Sequence, residues 1–182
     1  EKGFYDSAIA LYREIMAMEP DNIQNLIDFA DLMLEMENYS YAVLLYNKYL
    51  ELKPEDLKIR KLVIDIYKSV GSDNYAIEES LEFLKNNPHN IEMLLELAEI
   101  YRNNRIEQEE MLVMEKIVLL EPDNAFFTDR LMELYISLGE YKKACDLLHN
   151  RRFEEYMPDK KAYIYLNAGR YEEAIEIYEE LY

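Results

Sequence analysis

Four prolines, Pro20, Pro54, Pro88 and Pro122, stand 34 residues apart, and each is followed by a polar pair: Asp21-Asn22, Glu55-Asp56, His89-Asn90 and Asp123-Asn124. A proline biases the residue before it away from helical geometry. The second member of each pair is a residue type preferred at a helix N-cap. Every junction therefore reads as a stop signal followed by a start signal. Between junctions the apolar residues follow a helical period. In the first complete unit Leu26, Phe29, Ala30 and Met33 mark one helix, and Ala42, Leu45, Tyr46, Tyr49 and Leu50 mark a second. A lone hairpin of this size cannot bury both apolar faces, so copies must stack against one another.

Other marks recur within the period. A small residue sits in the middle of each second helix, at Ala8, Ala42, Ala76, Ala144 and Ala174. Bulk inserted at such a crossing costs about 1–3 kcal/mol. Turn signals precede these alanines: Gly3-Phe4-Tyr5, Glu37-Asn38-Tyr39, Gly71-Ser72-Asp73, Gly139-Glu140-Tyr141 and Gly169-Arg170-Tyr171. The first helices share a large residue two turns in, at Met33, Tyr67, Tyr101, Tyr135 and Tyr165, which is read as core packing.

This pattern resembles the tetratricopeptide-repeat family. Its marks are the period, the Gly-x-Tyr-x-x-Ala elements at Gly139-Tyr141-Ala144 and Gly169-Tyr171-Ala174, and the closing prolines. The resemblance implies an all-α fold, a right-handed α-solenoid of antiparallel helix pairs forming a superhelix. It divides residues 1–182, as one array, into the second helix of a truncated repeat (1–22), full repeats at 23–56, 57–90 and 91–124, a divergent repeat at 125–154 and a shortened one at 155–182. The chain begins at Glu1 inside a helical pattern and is expected to be excised from a longer array.

Two departures carry expectations. Glu110 replaces the small crossing residue in the 91–124 repeat, so either the register shifts there or the hairpin opens until the carboxylate reaches water, making this the loosest rung. Gly139 and Gly169 are only 30 residues apart, the closing helix is expected to break at His149-Asn150-Arg151-Arg152, and Pro158 stands where the next helix should begin.

The resemblance implies a non-catalytic protein-interaction scaffold whose ligand, a peptide or helix, lies along the concave groove of first helices. Packed helices are about 8–10 Å apart, so matched positions form columns. Asp31, Asp65, Glu99 and Glu133 make one such column. An extended peptide rises about 3.3 Å per residue, so these acids would meet a basic side chain at about every third position. Beside the column lie Ile27, Leu34, Leu95, Phe126 and Ile136, with Lys61, Arg102 and Arg130 at helical spacing from the acids. Two readings stand together: a groove for a basic, partly apolar segment, and a solvated face laced with ordinary helix ion pairs. The carboxylate clamp that some co-chaperones of the family use is rejected. Its places hold Ile27, Asp31, Leu62, Glu92 and Glu96 in one register, and Lys61, Asp65, Glu96, Phe126 and Arg130 in the next.

A formal net charge of −18 argues against nucleic acid and anionic membrane surfaces as partners, and favours a basic protein or peptide. One cysteine cannot form an internal disulfide, which suits a reducing cytoplasm. No apolar run reaches the length of a membrane span. Cys145 and His149 are four apart, but no oxyanion site or orienting group accompanies them, and no metal or cofactor set is expected. Ala162, Tyr165, Tyr171, Ala174, Ile175, Tyr178 and Leu181 are expected on terminal helices that nothing covers, a surface open to self-association. Alternative readings remain: a regulatory or targeting segment of a larger enzyme or assembly factor, or an assembly module acting through its ends.

Overall fold

The computed structural model describes residues 2–20, 22–150 and 158–181, and among these every regular element is a helix. In chain order they are α1 (Lys2–Met18), α2 (Ile23–Glu35), α3 (Tyr39–Leu52), α4 (Leu57–Ser69), α5 (Asp73–Asn86), α6 (Ile91–Asn103), α7 (Glu107–Leu120), α8 (Ala125–Ser137), α9 (Tyr141–Asn150), α10 (Pro158–Asn167) and α11 (Tyr171–Leu181). Asp21, Arg151 and Arg152, used above as signals, lie outside the described residues.

The start signals work through side chains. Asn22, Asp56 and Asn90 accept hydrogen bonds from the backbone N–H groups of Asn25, Ile59 and Met93, each satisfying a donor that the first helical turn leaves open. Asn124 occupies the same place but turns its amide to Glu121.

The turn inside each hairpin is built alike. Glu37, Gly71, Arg105, Gly139 and Gly169 all have φ between 56° and 79°. Each donates its N–H back to the carbonyl three residues earlier. The next N–H reaches the carbonyl of the large first-helix residue: Asn38 to Met33, Ser72 to Tyr67, Ile106 to Tyr101, Glu140 to Tyr135 and Arg170 to Tyr165. This paired closure is the Schellman arrangement, and it needs one left-handed residue. Glycine supplies that conformation freely, whereas Glu37 and Arg105 adopt it against the clash of Cβ with the backbone.

Contacts divide the chain into two compact units, Glu1–Pro88 and His89–Tyr182. In the first, α1 packs on α2, α2 on α3, α3 on α4 and α4 on α5. Its core joins Leu26, Phe29, Ala30 and Met33 of α2 to Ala42, Leu45, Tyr46, Tyr49 and Leu50 of α3 and to Ile59, Val63 and Ile66 of α4. Burying each large member contributes about 1.5–3 kcal/mol. Tyr12 of α1 stacks on Phe29 at 5.1 Å, and Tyr41 meets the same ring edge-on at 5.4 Å. Ala42 and Ala76 are fully buried at the crossings.

Arg60 breaks the apolar pattern of this unit. It is buried where the matched places hold Leu26 and Leu94. Its guanidinium pairs with Glu79, donates to the Pro54 carbonyl at 3.1 Å and lies 5.4 Å from the centre of the Phe83 ring. Burial pushes the Glu79 carboxyl above its ordinary range, against the pull of Arg60. Among the described residues, Arg60 Nε has no hydrogen-bond partner.

In the second unit, α6 packs on α7, α7 on α8, α8 on α9, α9 on α10 and α10 on α11. Met93, Leu94, Leu97, Ala98, Met111, Met114, Ile117, Leu131 and Met132 fill its interior. Glu110 corrects the expectation made for it. The helix around it is regular from Glu107 to Leu120, and the residue is 0% exposed, as are Ala42, Ala76 and Ala144 at the matching places. The carboxylate does not reach water because two arginines reach it.

The described part of α9 ends at Asn150, within the stretch His149-Asn150-Arg151-Arg152 where the break is expected, and α10 starts at Pro158, a residue compatible with a first helical turn. The terminal surface is also smaller than expected. Ala162, Tyr165 and Ala174 are buried, because α10 and α11 cover one another and α10 packs on α9. Tyr171, Ile175 and Leu181 remain exposed, and Tyr178 is half-buried.

Candidate functional site on the first helices

The twelve candidate groove residues fall on α2 and α4 in the first unit and on α6 and α8 in the second. In the first unit Ile27 and Leu34 are half-buried against the core, so their apolar character already serves packing. Asp31 is exposed and accepts a hydrogen bond from the hydroxyl of Tyr46, a buried residue of α3. Burial, and then this bond, raise the Tyr46 phenol well above its usual range. Asp65 is exposed with the Lys68 ammonium 3.6 Å away, one helical turn on. Lys61 is half-buried on the same helix.

In the second unit Leu95 is half-buried and Glu99 is exposed on α6. Arg102 stands in the last turn of α6. Its Nε donates to Glu110 Oε1 at 2.9 Å. Arg130 of α8 grips the same carboxylate with two bonds, Nε to Oε1 and Nη2 to Oε2, both 2.9 Å. Its remaining Nη1 donates to Glu133 at 3.1 Å. A charge-assisted relay therefore links α6, α7 and α8, and it ends at an exposed acid on the first-helix face. The hydrogen bond to Glu110 is the main reason the Arg130 guanidinium holds its proton even more firmly than usual.

Beyond Glu133 a cleft of about 390 Å³ lies between α8 and α10, lined by Glu133, Ile136, Ser137, Asp159, Lys160 and Tyr163. Two of these, Glu133 and Ile136, belong to the sequence-derived set. Asp159, Lys160 and Tyr163 do not. Their signal lay in the shortened interval: counting 30 residues instead of 34, Lys160 takes the place of Arg130, and Tyr163 that of Glu133. Phe126, 69% exposed, meets Phe127 edge-on at 5.9 Å and does not line the cleft.

Cys145 and His149 form no nucleophile–base pair. The thiol is buried, and burial pushes its pKa up in spite of nearby Arg170. The His149 ring donates from Nδ1 to the backbone carbonyl of Cys145 at 2.7 Å, and its Nε2 faces Arg170 Nη1 at 3.2 Å. Nδ1 is thus engaged within α9, and Nε2 links α9 to the turn before α11. Among the described residues no group of His, Cys, Asp and Glu could hold a metal ion, and no helix is long and apolar enough to cross a membrane.

A tetratricopeptide-repeat family model matches residues 1–63, and a second model of that repeat matches residues 160–182. The chain carries tetratricopeptide repeats over these residues. Solved structures agree with its helical-repeat fold. A MamA protein is 19% identical with a TM-score of 0.53, over 86% of this chain and 88% of that one. MamA from Desulfovibrio magneticus RS-1 is 16% identical with a TM-score of 0.50, over 82% and 84% of the two chains. A further MamA structure, from AMB-1, is 15% identical with a TM-score of 0.54, over 81% of each. At these identities the likeness is one of fold. No curated protein matches the sequence. As a tetratricopeptide-repeat protein, the chain is a protein-interaction scaffold.

Proposed function

We propose that the scaffold captures a basic, partly apolar peptide or helix on its first-helix faces, acting without catalysis. Each unit carries a first-helix face of its own: the repeats at 23–56 and 57–90 supply one, and those at 91–124 and 125–154, with the first helix of the shortened 155–182 repeat, supply the other. The observation that carries this reading is the cleft at Glu133 and Ile136, where an apolar floor meets acidic rims on adjacent first helices. Asp31, Asp65, Glu99 and Glu133 are all exposed and can meet a cationic chain. The net charge of −18 speeds the approach of such a partner and disfavours nucleic acid.

The test uses a fluorescent peptide in which arginine recurs at about every third position with leucines between, the spacing set by helix separation and strand rise. Affinity for the wild type is compared with that for Asp65→Lys/Glu99→Lys and for a control, Glu78→Lys/Glu109→Lys, which reverses the same number of exposed charges on second helices. The first-helix variant is expected to bind about tenfold more weakly than the control, the change that about 1.4 kcal/mol produces. Equal affinities for the two variants would assign any binding to the overall field and remove the groove.

A further inference from the structure

The cleft between α8 and α10 has features that select one kind of occupant. Its floor is apolar, from Ile136 and the ring of Tyr163, and its rim carries the carboxylates of Glu133 and Asp159 against the single ammonium of Lys160. Neither acid is adrift. Glu133 is held by Arg130, which the buried Glu110 fixes from behind by two 2.9 Å bonds. Asp159 stands in the first turn of α10, where the exposed N–H groups of the helix favour a carboxylate.

The aromatic wall is fixed as well. Tyr163 meets Tyr141 of α9 edge-on at 6.0 Å, with their hydroxyls 3.2 Å apart, so the ring is oriented before any ligand arrives. An aliphatic stem ending in a cation satisfies all three features. The stem covers the apolar floor, the charge sits over an aromatic face, and the head meets carboxylates from two helices. An anionic group would meet two carboxylates of its own sign, and a purely apolar one would gain nothing from them. A volume of about 390 Å³ gives room for one long side chain with water around its head.

We infer that this cleft is an anchoring subsite for a single arginine or lysine side chain of a protein partner, with Glu133 and Asp159 receiving the cation and Tyr163 flanking it. This rests on the peptide-capture reading above and narrows it to one pocket in the second unit. Glu110 and Arg130 are positioning residues here, acting through Glu133 rather than on the ligand.

Two fluorescent peptides test the assignment on the full chain: the arginine–leucine peptide above, and the same peptide with norleucine in place of each arginine. Glu133→Gln/Asp159→Asn is compared with wild type and with Glu78→Gln/Glu109→Gln, which loses the same charge elsewhere. The two partly exposed ion contacts that Glu133→Gln/Asp159→Asn removes correspond to about a tenfold loss for the arginine peptide. The norleucine peptide should lose nothing, and Tyr163→Leu should weaken the arginine peptide more than the norleucine one. All four variants alter exposed or cleft-lining side chains, and unchanged helical circular dichroism confirms that they fold. Unchanged arginine-peptide affinity in Glu133→Gln/Asp159→Asn, or an equal loss for both peptides, overturns the subsite. If Asp65→Lys/Glu99→Lys still weakens binding in that case, peptide capture stands and only the anchor falls. Should neither pair of substitutions change affinity, both fall together.

Discussion

Glu110 offers an asymmetric prediction, because its three bonds are shared between a buried group and two partly exposed ones. Its carboxylate is 1% exposed, whereas the Arg130 and Arg102 side chains are 25% and 41% exposed. Arg130→Ala removes two of the three bonds and leaves a buried carboxylate held only by Arg102 Nε. Stranding a buried charge costs about 3–5 kcal/mol, and the surviving Arg102 bond sets the expectation near the lower end, about 3 kcal/mol.

Glu110→Ala does the reverse. It removes the buried charge and installs the residue found at Ala42, Ala76 and Ala144, while both guanidiniums can turn to water. The lost bonds are largely offset by the desolvation no longer required, so about 1 kcal/mol is expected. Once Glu110 is gone, Arg130→Ala should add little, giving a coupling energy of about 3 kcal/mol in the double-mutant cycle. Equilibrium urea unfolding followed by far-ultraviolet circular dichroism measures the cycle, with amide exchange on α7 and α8 reporting local opening. Arg130→Ala costing no more than Glu110→Ala, or the two adding without coupling, would refute the buried relay.

Three further predictions concern the frame around the site. Replacing Arg60 and Glu79 together by leucine, in line with Leu26 and Leu45 one repeat earlier, should leave stability unchanged or raise it by about 1–4 kcal/mol, while Glu79→Leu alone destabilises the chain; thermal unfolding distinguishes them. Glu37→Gly and Arg105→Gly should each stabilise by about 1 kcal/mol by relieving the left-handed turn, and Gly139→Ala should cost about as much, read from urea midpoints. Asp56 is pulled up by burial, but the Tyr49 hydroxyl and the N–H groups of Ile59 and Lys58 outweigh this and hold its carboxyl below the ordinary value. The stability it contributes is therefore present above the unfolded-state value near 3.9 and is lost as pH falls through the lower folded value. Tyr49→Phe should accordingly trail wild type by about 1 kcal/mol near neutrality, with the gap narrowing below about pH 4; a gap independent of pH would show that the hydroxyl does not favour the charged form.

The repeating frame was legible because local physics writes it into each period. Proline stops, polar caps and left-handed turns act within a few residues, and the 34-residue spacing repeats them. Even Glu37, read as a turn signal without a glycine, takes the left-handed role; Arg105 carried no such mark and was missed. What escaped depends on reach rather than on period. Glu110 looked like a misfit because its partners, Arg102 and Arg130, sit 8 and 20 residues away on other helices. Arg60 carries no mark in the period, and only Glu79, 19 residues on in another helix, draws it into a core position. The α8–α10 cleft stayed hidden because the shortened last interval shifts Lys160 and Tyr163 out of the 34-residue columns. Tyr165 and Ala174 were read as uncovered because a helical face seen alone does not show the hairpin partner that closes over it.

Peptide capture by the first helices is tested most directly by amide hydrogen exchange of the full chain with and without the arginine–leucine peptide. The expected result is slower exchange confined to α2, α4, α6, α8 and α10, with the greatest change at α8 and α10, and exchange in α3, α5, α7 and α9 unaltered. Protection that falls instead on those second helices, or is absent at saturating peptide, would contradict the assignment of the binding face.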